Sequence, residues 1–401
     1  MSGNQNWSVL WRNPELRKHY DVVIIGAGGH GLSTAYFLAT KYGMKNIAVL
    51  DKGHIGGGNS GRNTQVTRSN YFWPQSAAFF DHSLKLYETL NEALNFNIML
   101  SQRGMLVLAH SPHEFESMRR WANAIQINGI DSEIVAPADI KKIEPLIDLE
   151  CRYPVIGGFM QRRAGISRHD AVTWGFARAA SHAGVDIIQD CEVLDLKVQA
   201  GKITAVSTSK GDVEAGSVCI AVAGRTSALA QMAGFRVPIT SMPLQAVVSE
   251  PIKPCLNTVF TSHVIHMYVS QSDRGEIVLG GGADTLTSYT QRGGFSTLEE
   301  NVAALIELVP QFRQLRMLRQ WAGISDITPD TTPIMGQTPV ANLYVSGGWG
   351  TGGYKAIPAG GDTMAYTIAN DRPHPLIFDF GLDRFVSGKL IDEGAASGVA
   401  H

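Results

Sequence analysis

The chain has 401 residues, 44% apolar and 17% charged, enough for two or three domains with sizeable cores. A formal net charge of -2 gives no electrostatic reason to expect nucleic acid or an anionic membrane as partner. No apolar region follows a basic one in MSGNQNWSVLWRNPELRKHY, no run of about 18 apolar residues occurs, and Cys151, Cys191, Cys219 and Cys255 form no CxxC pair, so the expectation is a cytoplasmic protein without membrane span, zinc site or disulfide framework.

The first glycine run lies in YDVVIIGAGGHGLSTAYFLATKYG. Asp21 precedes a continuous apolar stretch from Val22 to Ile25, the pattern of a parallel strand buried on both faces. Gly26, Gly28 and Gly31 match GxGxxG, and the residues that follow have helical propensity. NIAVLDKG adds a second strand ending at Asp51, about where such a fold places its ribose-binding acid. Together these predict a dinucleotide cradle, in which glycines let the backbone approach a pyrophosphate and a helix N-terminus faces its charge. After Asp51 and Lys52 the loop GHIGGGNSGRNTQVTRSNY is too long for a standard strand-to-helix connection, and a bound flavin would account for it.

SLKLYETLNEAL and HEFESMRRWANAIQINGI read as helices. In QRRAGISRHDAVTW, Arg162, Arg163, Arg168 and His169 crowd the approach to a helix whose N-terminus carries partial positive charge, which calls for an anion. Asp170 suits the N-cap, with His169 just outside it. On residue pattern alone, His169 is a solvated loop histidine beside exposed arginines. GVDIIQDCEVLDLKVQAGKITAVSTSKGDVEAGSVCIAVAG predicts a β-meander with turns at Ala200-Gly201 and Lys210-Gly211, ending in a buried strand over 218–223. VIHMYVSQSDRGEIVLGGG predicts a hairpin turning at DRGE, with His266 and Tyr268 on one face by the period of two; core packing competes with a site role for Tyr268. Finally, NLYVSGGWGTGGYKAIPAGG predicts a strand, a glycine turn and a helix opening near Pro358. Gly347, Gly348, Gly350, Gly352 and Gly353 leave room for a flat ring, and the helix can direct its positive end at the flavin N1-C2=O edge.

With GAGGHG, GGGNSGRNT, TRSNY, RHDAVTW, GWGTGGYK and a terminal LIDEGAASGVAH, the chain resembles over essentially its whole length the β subunits of bacterial heterotetrameric sarcosine oxidases, within the D-amino-acid oxidase-like flavoprotein superfamily. The fold implied is α/β: a Rossmann-type FAD-binding domain from 18–82, 151–238 and 318–372, interleaved with an α+β substrate domain on an antiparallel sheet from 83–150 and 239–317, then a C-terminal arm over 373–401. The resemblance implies FAD held by Gly26, Gly28, Gly31, Asp51, Lys52, Asn59, Ser60, Arg62, Asn63, Thr64, Val193, Gly224, Gly348, Gly350, Thr351, Gly352, Gly353 and Lys355. RQWAGISDITPDT lacks the cysteine that tethers FAD in single-subunit relatives, so noncovalent FAD is expected. A second flavin, FMN, is implied as a covalent adduct of His169, with Arg162, Arg163 or Arg168 toward its phosphate. At a helix start beside arginines the imidazole is biased to its neutral, nucleophilic form.

Oxidising an N-methyl amino acid moves a hydride from the carbon beside a neutral amine to the flavin, leaving an imine that water hydrolyses. Positioning and fixed charge suffice, so no Ser-His-Asp or metal constellation is expected. By resemblance Arg68 and Lys355 hold the substrate carboxylate, one as a bidentate donor and one as a point charge, against the alternative that each pairs with a surface acid. Lys355 has a second role open to it, in assisting oxygen. The expected activity is oxidation of sarcosine, with electrons passing through FMN to oxygen, giving glycine, a one-carbon unit (formaldehyde or methylenetetrahydrofolate) and hydrogen peroxide. The expected partners are α, γ and δ subunits, with folate and NAD on the α subunit. Competing readings are an FAD-dependent dehydrogenase of dimethylglycine or proline, and a non-catalytic electron-transfer flavoprotein subunit.

Overall fold

In the computed structural model, residues 9–284 and 286–393 are described; the terminal GAASGVAH lies outside them. The strand His19–Ile25 forms at the apolar run predicted for it, and its side chains alternate between two cores. Val22 and Ile24 pack under Leu32, Leu38, Phe176 and Met364, which belong to the helices Gly29–Thr40, His169–His182 and Ile357–Asn370. Val23 and Ile25 pack on the other face with Val218, Ile220, Leu229 and Val340.

This first sheet runs in spatial order Ile334–Gln337, Leu343–Gly347, Gly211–Ile220, His19–Ile25, Ile47–Leu50 and Asp186–Ile188. Its last five strands are parallel, while Ile334–Gln337 is antiparallel to its neighbour. The predicted meander is present: Val193–Gln199 and Lys202–Thr208 extend antiparallel from Gly211–Ile220.

The second sheet runs Met317–Ile327, Thr240–Ser249, Ile277–Ala283, Met267–Gln271, Val259–Ser262, Met105–Ala109, Gly157–Gln161 and Glu133–Val135. All its pairings are antiparallel except that of Val259–Ser262 with Met105–Ala109. The hairpin at DRGE forms, turning where Ser272 N donates to Glu276 O at 2.8 Å.

Three expectations are corrected here. Gly157–Gln161, and all of Met317–Ile327 but its first residue, fall inside pieces assigned to the nucleotide-binding unit, yet both strands pair in the second sheet. The chain crosses between sheets at these strands, and local composition carries no mark of which sheet a strand joins. The helix expected to be capped by Asp170 starts at His169, with Arg168 in the cap position. The expected extended arm contains two short helical segments, Pro375–Phe380 and Arg384–Ser387, and is anchored by a buried ion pair from Arg384 Nε to Asp330 Oδ2 at 2.8 Å. Among the described residues, no helix is long and apolar enough to cross a membrane.

Candidate active site and cofactor cradle

A cavity of about 1010 Å³ lies between the two sheets, bounded by the glycine turn after His19–Ile25 on one side and by His263, Tyr268 and Gly281 on the other. Backbone geometry explains the glycines of the turn. Gly26 has φ +112°, and a Cβ there would lie 2.3 Å from Ala221 O. At Gly31 a Cβ would meet Gly26 O at 2.0 Å, so this glycine permits the helix to pack on the strand and does not itself line the cavity. Asp51 accepts from Ala27 N through Oδ2 (2.8 Å) and from Gly53 N through Oδ1 (2.9 Å), and each carboxylate oxygen retains a further acceptor position for a ligand hydroxyl. Ser60 Oγ accepts from Gly29 N at 2.8 Å, and Lys52 lines the same stretch.

The rest of the long loop is held by its own polar side chains. Asn59 brackets Ile324, donating to its O (2.5 Å) and accepting from its N (2.9 Å). Arg62 donates to Gly57 O and Gly58 O, Asn63 to Ser60 O, and Thr64 Oγ1 donates to Tyr268 OH at 3.1 Å. All of these residues line the cavity, as do Val193, Gly224, Gly350, Thr351 and Gly353. Gly348 and Gly352 do not. Gly348 has φ +70° and serves the turn, its N donating to Asp326 Oδ2 at 2.6 Å.

The cradle fits a flavin dinucleotide. It combines glycine backbone open to a pyrophosphate with a ribose-type acceptor in Asp51 and a volume that continues into the second sheet. Five buried polar atoms of cavity-lining residues, His30 Nδ1, Asn70 Nδ2, Ser325 Oγ, Ser346 Oγ and Trp349 Nε1, also find no partner among the described residues.

Toward the second sheet, Arg68 and Lys355 line the same cavity, 6% and 7% exposed. Arg68 Nη1 donates to Asn70 Oδ1 at 2.7 Å, and its guanidinium lies 4.7 Å from the centroid of the Tyr71 ring. Lys355 Nζ donates to Thr351 O at 2.9 Å. Burial first, and then the charge of Arg68, hold the Lys355 ammonium well below the ordinary lysine range. Tyr268 lies on Met267–Gln271 with its hydroxyl in the cavity wall. His266 also lines the cavity, but not by strand alternation: it has φ +47° and sits in the turn before the strand, so the period-two argument does not reach it.

Sequence reasoning missed four residues here. His263 lies 6.0 Å from Trp121 between ring centroids, and burial with the charges of Arg68 and His266 pushes it down to about 4, leaving it neutral. His30 stacks on Trp349 at 4.1 Å while its Nε2 meets Gly353 O at 2.8 Å, tying the first glycine turn to the second. Asp326, pushed up to about 7 by burial, organises the second turn through the Gly348 amide. His30 stood in view within GAGGHG; Trp349 had no local signal beyond adjacency to glycine, and Asp326 none.

Residues 21–367 match the FAD dependent oxidoreductase family. The chain belongs to that family. It is 48% identical over 399 residues to the sarcosine oxidase subunit beta of Rhodobacter capsulatus, covering 99% of this chain and 96% of the relative. To the sarcosine oxidase subunit beta of Arthrobacter sp it is 50% identical over 394 residues, covering 98% and 97%. Among solved structures, L-proline dehydrogenase from P. horikoshii superposes with a TM-score of 0.88 at 26% identity, covering 94% of this chain and all of that one. The chain is therefore an FAD-dependent oxidoreductase, and the cavity is the candidate site for its FAD.

His169 and the arginines lie apart from that candidate site, outside the cavity lining. The anions that the cation cluster called for are the chain's own carboxylates: Arg162 pairs with Glu133, Arg163 with Asp81 (3.1 Å) and Glu88 (3.0 Å), and Arg168 with Asp170 (3.0 Å). His169 is the first residue of its helix, and its Nδ1 is buried without a partner among the described residues. Burial lowers its pKa, opposed by Asp170 and aided by Arg168, which favours the neutral ring.

Proposed function

We propose that this chain is the sarcosine-oxidising subunit of a multi-subunit oxidase. The observation that carries the reading is the convergence of a buried arginine and a buried lysine, Arg68 and Lys355, on the cavity that also contains the FAD cradle. Bound FAD supplies the two-electron acceptor. Arg68 donates to the substrate carboxylate, and Lys355 adds a second positive charge. Because Lys355 is held below the ordinary lysine range, an incoming carboxylate raises it and favours its protonated form. The same cations disfavour an ammonium in the pocket, so the substrate amine binds as the free base, the form that can release a hydride from its N-methyl carbon. Water then hydrolyses the resulting iminium to glycine and formaldehyde, or a partner's folate captures the one-carbon unit.

The second part of the proposal is FMN at His169. A neutral ring with an unpartnered nitrogen is suited to a covalent bond with a flavin, which would supply the electron exit to oxygen and hydrogen peroxide. Its counter-charge and the α, γ and δ partners belong to this proposal too. The test is anaerobic reduction of bound FAD with sarcosine, dimethylglycine and L-proline in parallel. Sarcosine should reduce FAD at the lowest concentration. Preferential reduction by proline or dimethylglycine would favour the dehydrogenase alternative, and no reduction by any of them the electron-transfer one.

A further inference from the structure

The C-terminal segment after Arg384–Ser387 returns to the loop that carries Arg68. Glu393, 1% exposed, accepts from Trp73 N through Oε1 (2.9 Å) and from Phe72 N through Oε2 (3.2 Å). These amides precede the helix Pro74–Ala93, which has no acidic residue in its first turn and no side-chain cap, so the distant Glu393 satisfies donors that the helix leaves open. Trp73 Nε1 donates to Asp392 O at 2.5 Å, and Asp392 lines the cavity with Arg68 and Lys355.

The segment is itself pinned. Ile391 N donates to Asp330 Oδ2 (3.2 Å), Glu393 N to Asp330 O (3.1 Å) and Thr332 Oγ1 to Ile391 O (2.6 Å), while Arg384 holds the same Asp330 carboxylate. The backbone from Arg68 to Trp73 is short, and Tyr71 within it carries the Arg68 guanidinium on one side and stacks on Phe80 at 3.7 Å. Fixing Phe72 and Trp73 therefore fixes the platform on which Arg68 rests.

We infer that Glu393 is a positioning residue for substrate capture: the C-terminal segment acts as a strut that sets Arg68 in the cavity and walls its substrate end with Asp392. This rests on the carboxylate-binding role proposed for Arg68. Burial pushes the Glu393 carboxyl up to about 7, as expected of a group seated in an interior contact and not on a loose tail.

The test uses the FAD-loaded protein, with acetate binding followed by perturbation of flavin absorbance and with anaerobic reduction by sarcosine. Glu393→Ala should weaken acetate and sarcosine affinity about tenfold, or ~1.4 kcal/mol, with FAD content and limiting reduction rate unchanged. Glu393→Gln, which keeps an acceptor for one amide, should recover most of that affinity. Unchanged affinity in Glu393→Ala overturns the inference, and so does a fall in limiting rate without a change in affinity. If Glu393→Ala does not fold, Trp73→Phe, which removes the Nε1 donor to Asp392 O and trims the indole, should weaken acetate about threefold; unchanged binding there overturns it equally. Arg68→Ala is run alongside. If it binds acetate normally, the carboxylate role of Arg68 fails; if it binds poorly while the Glu393 variants bind normally, the strut alone fails.

Discussion

Replacing Arg68 with Ala separates carboxylate capture from flavin binding. The side chain is buried, its guanidinium rests on the Tyr71 ring and donates to Asn70, and it shares the cavity with Lys355. Losing its charge-assisted contact should cost roughly 1.5–3 kcal/mol, or about 10- to 150-fold in sarcosine affinity. Arg68→Lys should recover only part of this, because an ammonium cannot make the bidentate contact or stack in the same way. A second consequence concerns pH. Lys355 is depressed by burial and by Arg68, so in Arg68→Ala its pKa rises, and the alkaline loss of substrate affinity should shift to higher pH than in the parent. For stability the sign is opposite to that of an ordinary surface lysine: a depressed lysine favours the fold above its unfolded pKa and loses that contribution as pH falls through the folded value. Lys355→Met should therefore hold its thermal stability toward acid better than the parent while binding substrate less well. Anaerobic stopped-flow reduction across a sarcosine series, repeated over pH, reads the affinity effects, and thermal melts across the same pH range read the stability effect. Unchanged substrate dependence in both Arg68→Ala and Lys355→Met would refute the assignment.

Asp51→Ala should weaken FAD retention about tenfold in reconstitution of stripped protein, by removing the acceptor beside the Ala27 and Gly53 amides, without changing which amine is oxidised; equal FAD affinity would refute the ribose role. Breaking the buried Asp330–Arg384 pair with Asp330→Ala should destabilise the fold by ~3–5 kcal/mol in denaturant titration. Although burial raises Asp330, Arg384 draws it below the usual carboxylate range, so its stabilisation is present above the unfolded value and lost as pH falls through the folded one. The denatured chain should keep one flavin on the tryptic peptide beginning at His169, or on the longer peptide from a missed cleavage at Arg168, and His169→Asn should release it; an unmodified His169 peptide from active, assembled enzyme would refute the attachment.

What could be read from the sequence was whatever the chain encodes over a short span. The apolar run before GAGGHG, the acid at Asp51 and the glycine turn before Pro358 each need only neighbouring residues, and each forms where predicted. Period two located Tyr268 but failed one turn earlier at His266, where the backbone leaves the extended region. Sheet membership is a long-range property, so Gly157–Gln161 and Met317–Ile327 carried no sign of it. The stack of His30 on Trp349 and the return of Glu393 to Trp73 likewise join distant parts of the chain, and only resemblance marked the terminal LIDE as distinctive.

The cation cluster was misleading for the same reason. QRRAGISRH displays its charges in one line, whereas the acids that meet two of its arginines come from elsewhere: Glu133 from a neighbouring strand, Asp81 and Glu88 from the helix Pro74–Ala93. Only Asp170 lies beside its arginine in sequence. With these pairs made, the helix start offers a flavin at His169 a neutral nitrogen but no uncommitted guanidinium among Arg162, Arg163 and Arg168. A phosphate bound there must either displace a carboxylate or take its cations from another chain. Arg162 is the most exposed of the three and its pair with Glu133 is a surface one, worth ~1 kcal/mol or less, so it is the arginine that can be recruited at least cost. Arg163 is chelated by two acids, and pulling it away would leave Glu88 with only the Gln102 amide as donor, while Asp81 keeps its pair with Lys85. If this chain contributes any arginine to the FMN phosphate, Arg162→Ala should weaken flavin incorporation while Arg163→Ala chiefly loosens the contact between Pro74–Ala93 and the strand Gly157–Gln161.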